Sequence, residues 1–342
     1  MRHAMRAVVV ARYGGTLEVM ERPIPTPGPG EVLIRIRASG LCGTDLHLLS
    51  GRVLLGDLPR ILGHESAGDI VELGEGVSGW HAGDRVTVAV DVVCGTCRHC
   101  LTGQTQRCRS MKRIGFERDG GHAEYVVVPA ANVIPLPPTL AYDAAAILPD
   151  AVACMYHSLI CQGKVGIGQK VLILGVGGLG IHGVQISRLV GADVLATSRR
   201  PERLKIAEQY GATSVNTATQ SLRDAVSGFT RGEGMDVVVD NIGTRESVRE
   251  GLSLLCPGGK LLVVGYLDDT FEVPSIPLFK AEQEIIGCRG SSRQDLVEVV
   301  RLAGTGKLRP VVGAHYPLEA IGAAAARLER GDLVGRTVLT RV

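Results

Sequence analysis

Residues 170–190 read KVLILGVGGLGIHGVQISRLV, and this stretch decides the architecture of the second half of the chain. Lys170–Leu174 is a short apolar run that predicts a buried strand. Gly175, Gly177 and Gly180 then satisfy G-x-G-x-x-G, with Gly178 and Leu179 inside the same turn, and Ile181–Val190 is helical in pattern. Glycines also serve ordinary turns, so the motif alone is weak. Placed between a strand and a helix, it supplies what a dinucleotide site needs. The glycines allow a tight turn, let backbone approach a pyrophosphate, and let helix pack closely on strand. The helix N-terminus favours the anion.

The alternation continues outward. Asp193–Thr197 predicts a second strand, Pro201–Tyr210 a helix, and Met235–Asp240 and Lys260–Gly265 further strands with a helix between them. Strands alternating with helices imply a parallel sheet covered on both faces. The pattern breaks after Glu284–Cys288; Gln294–Ala303 is helical and Arg336–Arg341 predicts a last strand. Before residue 150 the signals are of another kind. Met5–Ala11, Glu31–Ala38, Ala67–Leu73, Asp84–Val90 and Ala123–Val128 predict short strands, and Pro23, Pro25, Pro27 and Pro29 force an extended connection. The first part is therefore expected to be an all-β unit of barrel or sandwich kind.

Composition narrows the function. Lys+Arg 37 against Asp+Glu 35 leaves a net charge of +2, too little for a nucleic-acid footprint. The apolar run Ala7–Ala11 is too short for a signal peptide, and no 18-residue apolar run predicts a membrane span. A cytoplasmic protein is expected. Its nine cysteines then read as metal ligands or buried thiols, not disulfides.

Cys94, Cys97, Cys100 and Cys108 follow C-x2-C-x2-C-x7-C. A ferredoxin-type loop would place its fourth cysteine three residues on, before a proline; here seven residues intervene and Arg109 follows. A zinc ribbon would separate two C-x2-C pairs. Four thiolates closing a tetrahedral shell predict a structural Zn²⁺. A catalytic zinc would need an open shell, and candidates lie in Leu41–His47 and in Gly63-His64-Glu65. Each alone also reads as a buried thiol or a satisfied histidine.

Taken together, the motifs carry a resemblance. G-L-C-G-T-D-L-H at 40–47, G-H-E at 63–65, the four cysteines, G-D-R-V at 83–86 and the glycine turn occur in the order found in zinc-dependent medium-chain alcohol dehydrogenases. The chain resembles that family from about Met5 onward. The resemblance implies an α/β protein: a GroES-like β catalytic domain, residues 1–152 and 290–342, with an inserted Rossmann doubly wound parallel sheet domain, residues 153–289. It implies an active site in the cleft between the two.

The resemblance assigns two zinc ions. The catalytic one falls on Cys42 and His64, with Asp150 at the third position, where the family more often has cysteine; Cys154 is the alternative ligand. Glu65 would be an intermittent ligand and Asp45 the carboxylate that holds the His64 imidazole. The implied chemistry is hydride transfer between an alcohol carbon and C4 of nicotinamide, with zinc lowering the pKa of the alcohol. Protons would leave through Thr44, the cofactor ribose and His47. Arg336 would meet the pyrophosphate, Val264 would line the cofactor site, and Val90, Phe116 and Cys154 would line the substrate pocket.

NAD-binding members place an acid at the end of the second strand. Here that place is Ser198, followed by Arg199 and Arg200, which suit a 2′-phosphate and so predict NADP(H) over NAD(H). The expected partner is a small alcohol, aldehyde or ketone, with neither nucleic acid nor membrane, and the expected assembly a homodimer or homotetramer. Two rivals remain: a reductase of activated C=C bonds on the same fold, and a non-catalytic NADPH-binding protein. The ligand and relay positions argue against both.

Overall fold

A computed structural model describes residues 4–267 and 269–340. Its contacts divide the chain into residues 1–153 with 291–342, and residues 154–290.

The first unit is built on the strand Glu31–Leu41, whose alternating EVLIRIRA start buries Val32, Ile34 and Ile36. It pairs antiparallel with Glu65–Leu73, Tyr125–Pro129 and Arg336–Thr340. Arg85–Val88, Val133–Pro135 and Val312–Pro317 complete this seven-stranded sheet. Ala4–Val10, Glu18–Pro23 and Arg60–Ile61 form a separate three-stranded sheet. Register positions the chemistry. Gly40 lies opposite Glu65 and Leu41 opposite Thr337. The residues just beyond those pairs, Cys42, His64 and Arg336, therefore fall at the same end of three adjacent strands.

The second unit is a six-stranded, wholly parallel sheet. Its order is Thr213–Asn216, Asp193–Ser198, Lys170–Leu174, Met235–Asp240, Leu255–Val263, Glu284–Gly287. This is the Rossmann strand order, with the glycine turn following the central strand. Strands buried on both faces explain why KVLIL and MDVVVD are near-continuous apolar runs.

Most predicted elements occur within a few residues. The strand expected at Lys260–Gly265 begins at Leu255, because Met235 pairs with Leu255 before the register shifts across Pro257-Gly258-Gly259. The helices Gly43–Ser50 and Ile321–Glu329 and the strand Val312–Pro317 were not predicted. The strand alternates only in exposure, and the first helix hides behind a G-L-C-G start that reads as a turn. Among the described residues no helix is long and apolar enough to cross a membrane.

Candidate zinc and dinucleotide sites

Cys42 follows the strand Glu31–Leu41 and caps the helix Gly43–Ser50. Asp45, in the first turn, accepts the Cys42 N–H at 2.8 Å, which ties the helix start to the strand end. His64 precedes the neighbouring strand. Asp150 comes from a π-helical turn, Leu148–Val152, a geometry that widens the helix and is common at functional sites. One donor atom from each of Cys42, His64 and Asp150 lies within 4.8 Å of the others. Cys42 Sγ is 3.5 Å and His64 Nε2 is 3.7 Å from Asp150 Oδ2. Tetrahedral zinc bonds of about 2.0–2.3 Å space their ligands about 3.3–3.8 Å apart, so this donor set fits Zn²⁺ with a fourth position open. Cys154, the alternative third ligand, is not in this group; it lies in the second unit, on the helix Ala153–Tyr156.

Of the carboxylates around the set, Asp45 and Glu65 are buried and Asp150 is partly exposed, and they differ in state. Asp45 Oδ1 faces His64 Nδ1 at 3.6 Å. Burial opposes its charge, yet His64 and His122 hold Asp45 well below the usual carboxylate range. Burial would also raise Asp150, but His64 and Arg336 keep it low. His64 itself is pushed down by burial and more strongly up by Asp45 and Asp150, so its pKa is raised.

Glu65 is not one of the three clustered donors. Its Oε1 accepts from Arg336 Nε at 3.0 Å, Arg336 Nη2 at 2.6 Å and the Ala151 N–H at 3.0 Å. Its Oε2 is buried without a hydrogen-bond partner. Burial pushes the Glu65 carboxyl up to about 7 in spite of Arg336. Sequence reasoning missed this role of Arg336. Instead of standing open for phosphate, the guanidinium is buried, and Nη2 also donates to Asp150 at 2.7 Å. Nη1 takes no part in these bonds.

Thr44 and His47 lie on the helix that starts after Cys42. His47 is half-buried, and burial, with the charge of Arg52, lowers its pKa. Phe116 is buried with its ring centroid 5.4 Å from that of His64, and Val90 packs partly buried in the same core.

The four cysteines occupy a lobe with the ribbon Asp91–Val92 and Lys112–Arg113 and the short helix Arg98–Leu101. Cys94 and Cys100 sulfurs are 3.9 Å apart, Cys97 and Cys100 3.5 Å, Cys94 and Cys108 3.6 Å. Four Zn–S bonds of about 2.3 Å in a tetrahedron put sulfurs about 3.8 Å apart. Backbone N–H groups of Thr96 and Cys97 lower the Cys94 thiol to about 6, towards the thiolate a metal needs.

In the second unit Gly175 has φ +85°, and a Cβ on Gly180 would lie 2.2 Å from the Gly175 carbonyl oxygen. Only glycine lets the turn close this tightly onto its helix. The Gly175 and Val176 N–H groups donate to Thr197 Oγ1 and O, at 3.2 and 2.9 Å, anchoring the turn to the second strand. Gly178 accepts at its carbonyl from His182 Nδ1, 2.9 Å away, and Leu179 caps the helix Gly180–Leu189. Ser198 ends the second strand and its Oγ accepts the Arg200 N–H at 3.1 Å. Arg199 is exposed; Arg200 caps the helix Pro201–Gln209, 3.9 Å from Glu202. Val264 follows its strand and donates to the Asp240 carbonyl at 2.9 Å.

A clustered thiol, imidazole and carboxylate in a chain that also carries a Rossmann unit are the parts of a zinc-type, nicotinamide-linked oxidoreductase. Comparison with known proteins places it further. Residues 28–138 match the alcohol dehydrogenase GroES-like domain and residues 178–305 the zinc-binding dehydrogenase domain. An alcohol dehydrogenase of Geobacillus stearothermophilus is 33% identical, over 98% of this chain and 99% of its own. An acryloyl-coenzyme A reductase of Metallosphaera sedula is 32% identical, over 98% and 100%. The crystal structure of an NAD-dependent alcohol dehydrogenase superposes with a TM-score of 0.93 at 33% identity, over 99% of this chain and all of that one. The chain belongs to the zinc-type medium-chain dehydrogenase/reductase family.

Proposed function

We propose that this enzyme transfers hydride between NADP(H) and an alcohol or its aldehyde or ketone, using one catalytic and one structural zinc. The observation that carries the reading is the clustering of Cys42, His64 and Asp150 next to the helix that bears Thr44 and His47. Cys42, His64 and Asp150 would hold the catalytic ion and Cys94, Cys97, Cys100 and Cys108 the structural one. When bound, the catalytic zinc supplies a Lewis acid that acidifies an alcohol or polarises a carbonyl.

The chain's own groups do the rest. Cys42, as the thiolate a bound metal requires, and Asp150 would balance the charge of a divalent ion. Asp45 holds the Nδ1 side of His64 and leaves Nε2 as the donor. The Thr44 hydroxyl takes the substrate proton and His47, one turn along the helix, receives it. A lowered pKa keeps the His47 imidazole neutral and able to accept a proton near neutral pH. Glu65, held back by Arg336, is the carboxylate available as an intermittent ligand. The Gly175–Gly180 turn and Val264 would hold the dinucleotide, Arg336 is the candidate partner for its pyrophosphate, and Ser198 with Arg199 and Arg200 would accommodate a 2′-phosphate. A cytoplasmic homodimer or homotetramer completes the proposal.

A second reading is reduction of an activated C=C bond, favoured by the similarity to an acryloyl-coenzyme A reductase. One experiment separates them: oxidation of NADPH followed at 340 nm with aldehydes, ketones, enones and an acryloyl thioester, with zinc content measured alongside. Turnover of carbonyls that tracks zinc supports the first reading. Turnover of alkenes alone supports the second, and no turnover of any class overturns both.

A further inference from the structure

Behind Asp45 and His64 the first unit buries two polar side chains, Ser39 and His122, that the proposed chemistry does not use. Ser39 Oγ lies 2.7 Å from His122 Nδ1. His122 Nε2 lies 3.5 Å from Asp45 Oδ2, and Asp45 Oδ1 lies 3.6 Å from His64 Nδ1. His122 and Asp45 are 0% exposed, and Ser39 and His64 are buried.

The seat for His122 is built into the backbone. Segments 61–63 and 120–122 are laced together: Gly120 N–H donates to Ile61 O at 2.9 Å, Gly121 to Gly63 O at 2.8 Å, and His122 to Leu62 O at 2.9 Å. Gly63, next to His64, has φ +101°, and a Cβ there would lie 2.3 Å from His122 N and 2.7 Å from its Cγ. A Cβ on Gly121 would lie 1.9 Å from Ser66 Oγ. The glycine beside His64 is thus also the space that His122 occupies. An imidazole in so dry a place is costly without polar partners, and an apolar side chain would fill it more cheaply.

Its partners determine its tautomer. An ionised carboxylate only accepts, which favours the tautomer that has its proton on Nε2, facing Asp45, and Nδ1 accepting from the Ser39 hydroxyl. Asp45 Oδ2 also accepts the Cys42 N–H at 2.8 Å. The Cys42 N–H bond and the His122 ring, whose Nε2 faces the same oxygen at 3.5 Å and has no hydrogen-bond partner, together limit rotation of the carboxylate and so restrict where Oδ1 meets His64.

We propose that His122, oriented by Ser39, is a positioning residue for the zinc site: it locks Asp45 so that His64 keeps Nδ1–H towards that carboxylate and offers Nε2 to the metal. The proposal rests on the reading of Cys42, His64 and Asp150 as zinc ligands. Outer partners of a ligating histidine change metal affinity by about 10- to 100-fold, and His122 stands one contact further out, so the lower end is expected.

The test is the rate of zinc release to EDTA, with the four-cysteine zinc as internal control, in the wild type, His122→Phe, His122→Gln and Ser39→Ala. His122→Phe is expected to speed loss of the faster zinc about 10-fold. Ser39→Ala should speed it less, and His122→Gln, which keeps an N–H donor, should restore much of the wild-type rate. The slower zinc should be unaffected. Nitrogen-15 NMR of histidine-labelled, zinc-loaded wild type should show His122 protonated at Nε2 alone. Unchanged release in folded His122→Phe and Ser39→Ala, or protonation at Nδ1 alone, overturns the proposal. If His122→Phe does not fold, Ser39→Ala and the wild-type spectrum still decide it. A wild type that binds one zinc per chain removes the underlying reading as well, whereas two zincs with indifferent variants removes only the role of His122.

Discussion

Arg336 Nη2 donates to Glu65 Oε1 at 2.6 Å, across 271 positions of sequence, and both side chains are buried. The bond joins the last strand to the strand that follows His64. Since Nη2 also reaches Asp150, one guanidinium balances two carboxylates at the candidate zinc site.

Replacing Arg336 with methionine should therefore cost stability well beyond the lost side chain. It leaves two buried carboxylates with one fewer cation, and breaking a buried pair from one side typically costs about 3–5 kcal/mol. Adding Glu65→Gln to Arg336→Met should recover part of the loss, because one stranded charge is removed. Urea denaturation of the zinc-loaded proteins reads both effects. A loss below about 1 kcal/mol for Arg336→Met would mean that the pair is not the brace its geometry indicates.

The two metal sites should behave differently. The four-cysteine shell is closed and should release its zinc slowly, while the Cys42/His64/Asp150 shell is open and should yield to chelator first, with activity lost and the fold kept. Asp150→Asn should lower kcat/KM by about 10²-fold or more and weaken the faster site. Cys154→Ser should do neither. The reverse pattern would make Cys154 the third ligand, and less than about one zinc per chain in active enzyme would reject the two-site arrangement.

The pH profile of alcohol oxidation should carry the signature of His47. Burial and Arg52 lower its pKa from the ordinary 6.5, so the imidazole stays neutral and able to accept a proton to a lower pH than a free histidine. The acid limb of kcat should accordingly lie below that value. Arg52→Ala removes a cation that opposes protonation and should move the limb upward. His47→Gln should slow turnover most at low pH and be partly rescued by small buffer bases. Loss of zinc in that variant would assign His47 to the metal instead.

Cofactor choice should turn on the end of the second Rossmann strand. Ser198 puts no negative charge there, and exposed Arg199 is the nearer candidate for a 2′-phosphate, since the Arg200 backbone is engaged by Ser198 and its guanidinium lies near Glu202. One or two charge-assisted hydrogen bonds, each worth about 1.5–3 kcal/mol, correspond to about a 10- to 10⁴-fold preference for NADP(H) in kcat/KM. Ser198→Asp with Arg199→Ala should shift preference towards NAD(H), mainly through KM for the phosphorylated cofactor. Wild-type enzyme that uses NAD(H) better at equal concentration would refute the assignment.

Local chemistry made much of this protein readable from its sequence. The glycine turn, the KVLIL strand and the Pro201 helix start depend on neighbours a few residues away, and each is found where those neighbours place it. The four cysteines are equally local: their spacing alone brings the sulfurs to zinc distance. Strand lengths were less legible. The start of Leu255–Val263 depends on pairing across a register shift that no local pattern encodes.

What only the tertiary structure decided lies in the buried polar groups. The resemblance reads Arg336 as a pyrophosphate contact and Glu65 as an intermittent ligand, and the sequence assigns no role to Ser39 or His122, which lie just outside the predicted strands Glu31–Ala38 and Ala123–Val128. Sheet register brings Gly40 opposite Glu65 and Leu41 opposite Thr337, and those two pairings put the groups at one strand end. A buried charged or polar group is tolerable only beside its partner, and the partner is 271 positions away for Glu65 with Arg336 and 83 for Ser39 with His122. The sequence by itself marked the glycine turn and the four cysteines as candidate dinucleotide and metal sites, because those motifs are short and their spacing is their geometry. Which carboxylate is held by which cation, and which histidine steadies the ligand, was decided by the fold, because desolvation makes those pairings count only once distant strands have closed around them.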